Sequence, residues 1–259
     1  MARIGIFDSG VGGLSIANEI HQLLPDVDID YIADQGFAPY GQQPTEVIIE
    51  RCHTIVNKLV KNGCDLIVIA CNTATVNAVA LLRKTFDVPI VGVEPGVKPA
   101  AYQSLSKHIL VLATQSTLNS ESYQQLKAKY QQNAHFYDQP CPAFVELVER
   151  REHLSQDAHK WAEKYLEKVF MLDCDTVILG CTHFVFLLPI LEKILPSHVR
   201  VINTANAVAK QAKIKLMERQ PQWQKQEGKL VFMTSAKRCP SHDYIAAFAT
   251  IRLDSIIQI

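Results

Sequence analysis

Short apolar runs separated by longer stretches of helical period set the tightest limit on how this chain can fold. The runs are Arg3–Phe7, Ile29–Ala33, Asp65–Ala70, Pro89–Val93, Ile109–Ala113, Thr176–Gly180 and Val199–Ile202. Several are apolar throughout rather than at alternate positions, the pattern of a strand buried on both faces. Between them Thr45–Lys61, Thr73–Phe86 and Asp157–Phe170 carry helical spacing. Strand and helix in alternation specify βαβ units, so the expected class is α/β, with mostly parallel sheets flanked by helices. At 259 residues the chain can form one large domain or two of ordinary size, and 48% hydrophobic content is enough for real cores.

An internal echo favours two. Cys64-Asp65-Leu66-Ile67-Val68-Ile69-Ala70-Cys71-Asn72-Thr73 is matched 110 residues later by Cys174-Asp175-Thr176-Val177-Ile178-Leu179-Gly180-Cys181-Thr182-His183. Earlier in each half, Ile4–Gly10 is echoed by Ile109–Gln115, 105 residues on. Two echoes in order at near-equal offsets predict two pseudo-symmetric α/β halves. Glu94-Pro95-Gly96-Val97-Lys98-Pro99 interrupts the pattern between them. The expected domains are 1–97 with 208–259, and 98–207. The segment after Val208, with a helix-like stretch and then Lys229–Thr234, is assigned to the first half.

Composition excludes several functions. Basic and acidic residues balance at 26 each, without the basic excess of a nucleic-acid binder. No apolar run approaches the roughly 18 residues of a membrane span. The opening residues lack the apolar stretch and cleavage site of a signal peptide, so a soluble, cytoplasmic protein is expected. The seven cysteines are an odd number without a Cys-x-x-Cys pair, which predicts reduced thiols and no metal site.

Open α/β sheets bind ligands beyond the carboxyl ends of their strands, where the echo puts Cys71 and Cys181. Two thiols facing one ligand from opposite sides can racemise it: one base removes an α-proton and the other delivers a proton to the opposite face. A thiol's ordinary pKa of about 8.5 suits both roles. Asn72 and Thr73 beside one cysteine, and Thr182 and His183 beside the other, can hold a carboxylate and a developing carbanion. No lysine motif for pyridoxal phosphate is evident, so no cofactor is expected. The blander alternatives remain open at this point. A strand-end cysteine can be a packed small residue, and a histidine can be a satisfied hydrogen-bonding group. Phe7–Gly13 departs from Gly-x-Gly-x-x-Gly because Ser15 occupies the third glycine's place. It reads either as a turn with Asp8 or Ser9 capping a helix, or as a pocket wall in which they bind substrate ammonium. Pro39-Tyr40-Gly41 reads as an ordinary turn, and Glu149 as a solvated helix residue.

The chain resembles the glutamate racemases of the aspartate/glutamate racemase superfamily. The resemblance is carried by Asp8-Ser9-Gly10-Val11-Gly12-Gly13-Leu14, Pro39-Tyr40-Gly41, Ala70-Cys71-Asn72-Thr73-Ala74 and Gly180-Cys181-Thr182-His183. Weaker matches are Ala113-Thr114 with Thr117, Cys141-Pro142 with Glu149, and Thr234-Ser235. The set runs in family order through nearly the whole chain. It implies two α/β domains with the active site between them, and L- to D-glutamate interconversion supplying peptidoglycan synthesis. Carried over by position, Cys71 acts on the D-enantiomer and Cys181 on the L-enantiomer, with Asp8 and His183 assisting from either side. Ser9, Tyr40, Gly41, Asn72, Thr73 and Thr182 bind substrate, Glu149 has a supporting role, and Thr114 and Thr117 are pocket members. On this reading the partner is glutamate, with no nucleic acid, membrane, metal or cofactor, and a homodimer is compatible with it. Gln35-Gly36-Phe37, Val185 and Asn203 depart from common family residues. Another racemase of the superfamily and a non-catalytic amino-acid-binding module are the competing readings.

Overall fold

The computed structural model describes residues 2–223 and 226–259, which divide into two compact units. One comprises residues up to Val93 together with Ala205–Ile259, the other Glu94–Thr204. The division drawn from sequence falls at 97/98 and 207/208. Among the described residues no helix is long and apolar enough to cross a membrane.

The first unit is built on β1 (Arg3–Asp8), β2 (Asp28–Ala33), β3 (Leu66–Ile69) and β4 (Ile90–Gly92). The second has β5 (His108–Ala113), β6 (His135–Pro140), β7 (Thr176–Gly180) and β8 (Arg200–Ile202). The chain then returns to the first unit with β9 (Leu230–Thr234) and β10 (Leu253–Gln258). The six-stranded sheet has the order β10-β9-β2-β1-β3-β4 and the four-stranded sheet β6-β5-β7-β8. Every pairing is parallel. Numbering strands within each half, both contain the order 2-1-3-4. The echo in sequence is therefore an echo in topology.

Continuous apolar runs are what such sheets require. β2, β3 and β7 are buried at every position, covered on both faces. Helix Thr45–Lys61 lays Ile48, Cys52, Ile55, Val56 and Leu59 on one sheet face, at the three- and four-residue spacing of one helix stripe. In the second unit Val97, Ala100 and Ala101 pack with Ile109, Val111 and Ile178.

The two echoed aspartates lie at the opposite end of their strands from the thiols. Asp65 accepts the Arg3 N–H at 2.9 Å, just before β3. Asp175 accepts the Leu105 and Ser106 N–H groups at 2.6 and 2.7 Å, and the Ser104 and Thr176 hydroxyls at 2.6 and 2.8 Å. In each half the carboxylate ties the entry of the third strand to the entry of the first. Burial, the largest single influence, pushes the Asp175 carboxyl up. Its hydrogen bonds together outweigh burial and hold it at about 2.

Because this value is depressed, the stabilisation is fully present above about pH 4 and is lost as pH falls through about 2. Asp175→Asn should cost about 1–3 kcal/mol near neutral pH, since one of the two oxygens that share four donors becomes an NH₂ group and the charge is lost. Denaturant unfolding at a series of pH values checks this: the gap between wild type and variant should narrow as pH approaches 2.

Candidate active site

Both thiols sit where the strand order reverses. In the first unit β1 lies between β2 and β3, so the chain leaves β1 toward one side and returns on the other. That switch opens a crevice beyond the strands' carboxyl ends. The register pairs Phe7 with Ile69, which sets Ser9 beside Cys71 two residues on. In the second unit Ala113 pairs with Gly180, which sets Thr114 beside Cys181 one residue on. Each half thus brings a hydroxyl residue and a cysteine to the same point of its sheet.

Cys71 is buried, 6% exposed. It caps helix Asn72–Thr85, accepting the Ala74 N–H at 3.4 Å, and its thiol donates to Ser9 Oγ at 3.8 Å. The helix N-terminus and this N–H are oriented to stabilise negative charge on sulfur. Asn72, Thr73 and Ser9 are buried beside it. The Asn72 Nδ2 group is buried with no hydrogen-bond partner, leaving a donor unused next to Cys71 in the chain. Asp8 is fully buried and accepts the Gly10 N–H at 2.9 Å. The following helix, Leu14–Leu23, is capped by Gly13 rather than by the side chain of Asp8 or Ser9. Gly13 is required by close packing: a Cβ there would lie 2.7 Å from Ala70 Cβ and 2.8 Å from Asp8 Cβ. Tyr40, read as part of a turn, is buried in the same apolar cluster as Cys71. Its hydroxyl is occupied, donating to Asp34 at 2.6 Å, and Gly41 follows it in a short 3-10 turn.

Cys181 has different support. It precedes a 3-10 helix, Thr182–Leu187, and its side chain caps nothing. Instead its Sγ lies 3.8 Å from His183 Nδ1, while His183 Nε2 lies 2.6 Å from Glu149 Oε1. The carboxylate is an acceptor, so Nε2 donates and Nδ1 is turned to the sulfur. His183 is 2% exposed, and Glu149 reaches it from the end of helix Pro142–Glu149. Burial, the largest single influence, pushes the imidazole down. The hydrogen bonds and charges of Cys181 and Glu149 together outweigh it and hold His183 well above 6.5. Glu149 is therefore a working partner of a buried histidine, not the solvated residue its helical context suggested. Phe144 from the same helix packs edge-on against Phe184 at 5.3 Å, which locks the two elements together. Thr114 and the fully buried Thr117 bond to each other at 2.9 Å at the end of β5. Among the described residues no group of three or more His, Cys, Asp or Glu is arranged to hold a metal ion.

The model of the Asp/Glu/Hydantoin racemase family matches residues 13–212. The chain belongs to that family. Within this racemase family it is 46% identical to the glutamate racemase of Pseudomonas syringae pv. tomato, over 81% of this chain and 77% of that one. It is 41% identical to the glutamate racemase of Pseudomonas aeruginosa, over 81% and 80%. A crystal structure of Escherichia coli glutamate racemase with L-glutamate and the activator UDP-MurNAc-ala is similar at TM-score 0.89 and 29% identity, covering 100% of this chain and 98% of the other. The Francisella tularensis glutamate racemase with D-glutamate is similar at TM-score 0.85 and 25% identity, covering 100% and 97%.

Sequence reasoning missed Asp34, Arg51 and the use of Ser235. Asp34 accepts from all three side chains of Tyr40, Arg51 and Ser235. The available signal was a lone arginine inside an otherwise apolar helix stripe.

The Glu149–His183 pair makes a testable prediction. His183 is raised by Cys181 and, after it, by Glu149; Glu149→Gln removes the second of these, so the imidazolium titrates at lower pH. The alkaline limb of the pH–rate profile should move to lower pH, with the acid limb less affected. An alkaline limb left in place would contradict the coupling.

Proposed function

We propose that this enzyme is a cofactor-independent glutamate racemase in which Cys71 is the base toward D-glutamate and Cys181 the base toward L-glutamate. The observation that carries the reading is the equivalence of the two thiols. Each follows the third strand of a 2-1-3-4 order and stands beside a hydroxyl residue just past the first strand. The choice of glutamate is supported by the curated relatives at 41–46% identity, which are glutamate racemases.

In the L-to-D direction the Cys181 thiolate removes the α-proton and becomes a thiol. The electron pair left on the α-carbon delocalises into the carboxylate. The Cys71 thiol then gives its proton to the opposite face of that carbon and becomes a thiolate. The reverse direction exchanges the roles, and atoms and charge balance in each. The His183 ring, which also bonds Glu149, turns Nδ1 toward Cys181 Sγ and assists proton transfer on that side. The Ala74 N–H and the helix start favour the anion on Cys71, with Asp8 assisting there. Ser9, Asn72, Thr73, Thr182, Thr114, Thr117 and the Tyr40–Gly41 main chain bind substrate. The unpartnered Asn72 amide is a natural donor to the carboxylate, which carries more negative charge as the carbanion forms.

The equilibrium constant of a racemisation is unity by symmetry. Any variant must therefore lose kcat/KM equally in both directions, however unequal its kcat values become. The proposal includes a cytoplasmic reaction, where both thiols stay reduced, and a product destined for peptidoglycan. The homodimer compatible with the sequence is open to light scattering on the purified chain.

Purified protein given L-glutamate alone should form D-glutamate without added cofactor. Cys71→Ser and Cys181→Ser should each lower kcat/KM by at least roughly 10²-fold in both directions, the scale of losing a positioned acid–base group. Full activity in either variant would refute the two-thiol assignment. Turnover of aspartate or a hydantoin instead would keep the mechanism and change the substrate. Binding without α-proton exchange would mark a binding module.

A further inference from the structure

We propose that Asp34 and Arg51 are positioning residues, and that their buried pair sets substrate affinity by fixing the Tyr40–Gly41 turn. The inference rests on the racemase reading above.

Asp34 is fully buried at the carboxyl end of β2. Four donors from three further stretches of chain converge on it. Tyr40 donates its hydroxyl to Oδ2 at 2.6 Å. Arg51, from helix Thr45–Lys61, forks across the carboxylate, with Nε to Oδ2 at 2.9 Å and Nη2 to Oδ1 at 2.7 Å. Ser235, just past β9, donates its hydroxyl to Oδ1 at 2.6 Å. A second set of contacts closes around the first. The Gly36 N–H donates to Ser235 Oγ at 3.0 Å, and Thr234 Oγ1 donates to Gln35 Oε1 at 2.9 Å. The Arg51 guanidinium lies 4.0 Å from the centroid of the Phe37 ring.

The loop needs this. Between β2 and helix Thr45–Lys61 it has only two three-residue 3-10 turns, Gln35–Phe37 and Tyr40–Gln42, and no strand partner. Its seat on the end of β9 is unusually close, because a Cβ at Gly36 would lie 2.5 Å from the Ser235 carbonyl oxygen. The departing triplet Gln35-Gly36-Phe37 is thus accounted for: one residue bonds β9, one permits the approach and one stacks under Arg51. A buried ion pair is a costly way to hold a loop compared with apolar packing. What it supplies is direction, since a forked guanidinium fixes its carboxylate in a plane.

Tyr40 connects this anchor to the reaction. Its ring shares an apolar cluster with Cys71, and burial followed by the Asp34 charge keeps its phenol a neutral donor. With that hydroxyl occupied, a substrate contact from Tyr40–Gly41 comes through the main chain. Main-chain placement is what the Asp34–Arg51 pair controls.

The test uses the full chain and steady-state kinetics in both directions, together with amide hydrogen exchange over residues 34–43. Arg51→Met should raise KM for both enantiomers roughly tenfold or more while kcat stays within about threefold, the signature of lost uniform binding. Arg51→Lys should fall between, because an ammonium cannot fork. Exchange over the loop should quicken with β1 and β3 unchanged. Combining Asp34→Asn with Arg51→Met should do no more harm than the worse single variant. Should Asp34→Asn or Arg51→Met fail to fold, Arg51→Lys and Ser235→Ala carry the same expectation in milder form. KM unmoved in these folded variants, or a fall in kcat at constant KM, would overturn the proposal while leaving the racemase reading intact. A wild-type chain inactive toward both enantiomers would sink that reading instead.

Discussion

The parallel pairing of the first and third strands in each sheet is the constraint on which the rest depends. β1 against β3 and β5 against β7 decide which side chains meet where the sheets end. A slip of one residue would turn each cysteine to the opposite face of its strand. The register is held from both ends. At the entry, Asp65 and Asp175 tie the third strand to the segment preceding or opening the first. At the exit, Gly13 lets the turn after β1 close onto Ala70, immediately before Cys71. Neither aspartate touches the site, yet both help determine where the thiols stand.

The two thiols are equivalent in position within their sheets and unlike in support. Cys71 relies on main chain: a helix start and one N–H directed at sulfur. Cys181 has no such cap and faces side chains, a buried histidine that also bonds Glu149. The difference follows from local sequence. Asn72-Thr73-Ala74 continues into a regular fourteen-residue helix, whereas Thr182–Leu187 forms a 3-10 helix that ends ahead of Pro189. One duplicated frame thus surrounds its two sulfurs in two ways.

Much of this frame was legible in the sequence because its signals are local. Helix Thr45–Lys61 begins and ends where its periodicity does, and the buried strands are visible as unbroken apolar runs. β6 and β10 were not visible. Each is an edge strand with a single neighbour, so His135-Phe136-Tyr137-Asp138-Gln139-Pro140 and Leu253-Asp254-Ser255-Ile256-Ile257-Gln258 carry polar residues that break the apolar signal. Cys71 and Cys181 stood out through the echo. Glu149 and Tyr40 did not stand out on their own chemistry, since their roles depend on partners 34 and 6 residues away. Asp34 was overlooked for the same reason: its partners Arg51 and Ser235 lie 17 and 201 residues distant.

The central claim is that two different thiols serve the two faces of one carbon. Isotope partition in D₂O at the earliest turnovers tests it most directly. L-Glutamate converted in D₂O should give D-glutamate carrying α-deuterium, while recovered L-glutamate remains unlabelled because Cys181 returns the proton it took. The mirror experiment from D-glutamate should behave alike. Equal early labelling of recovered substrate and product, or product formed with the substrate's own proton, would point to a single base and contradict the account.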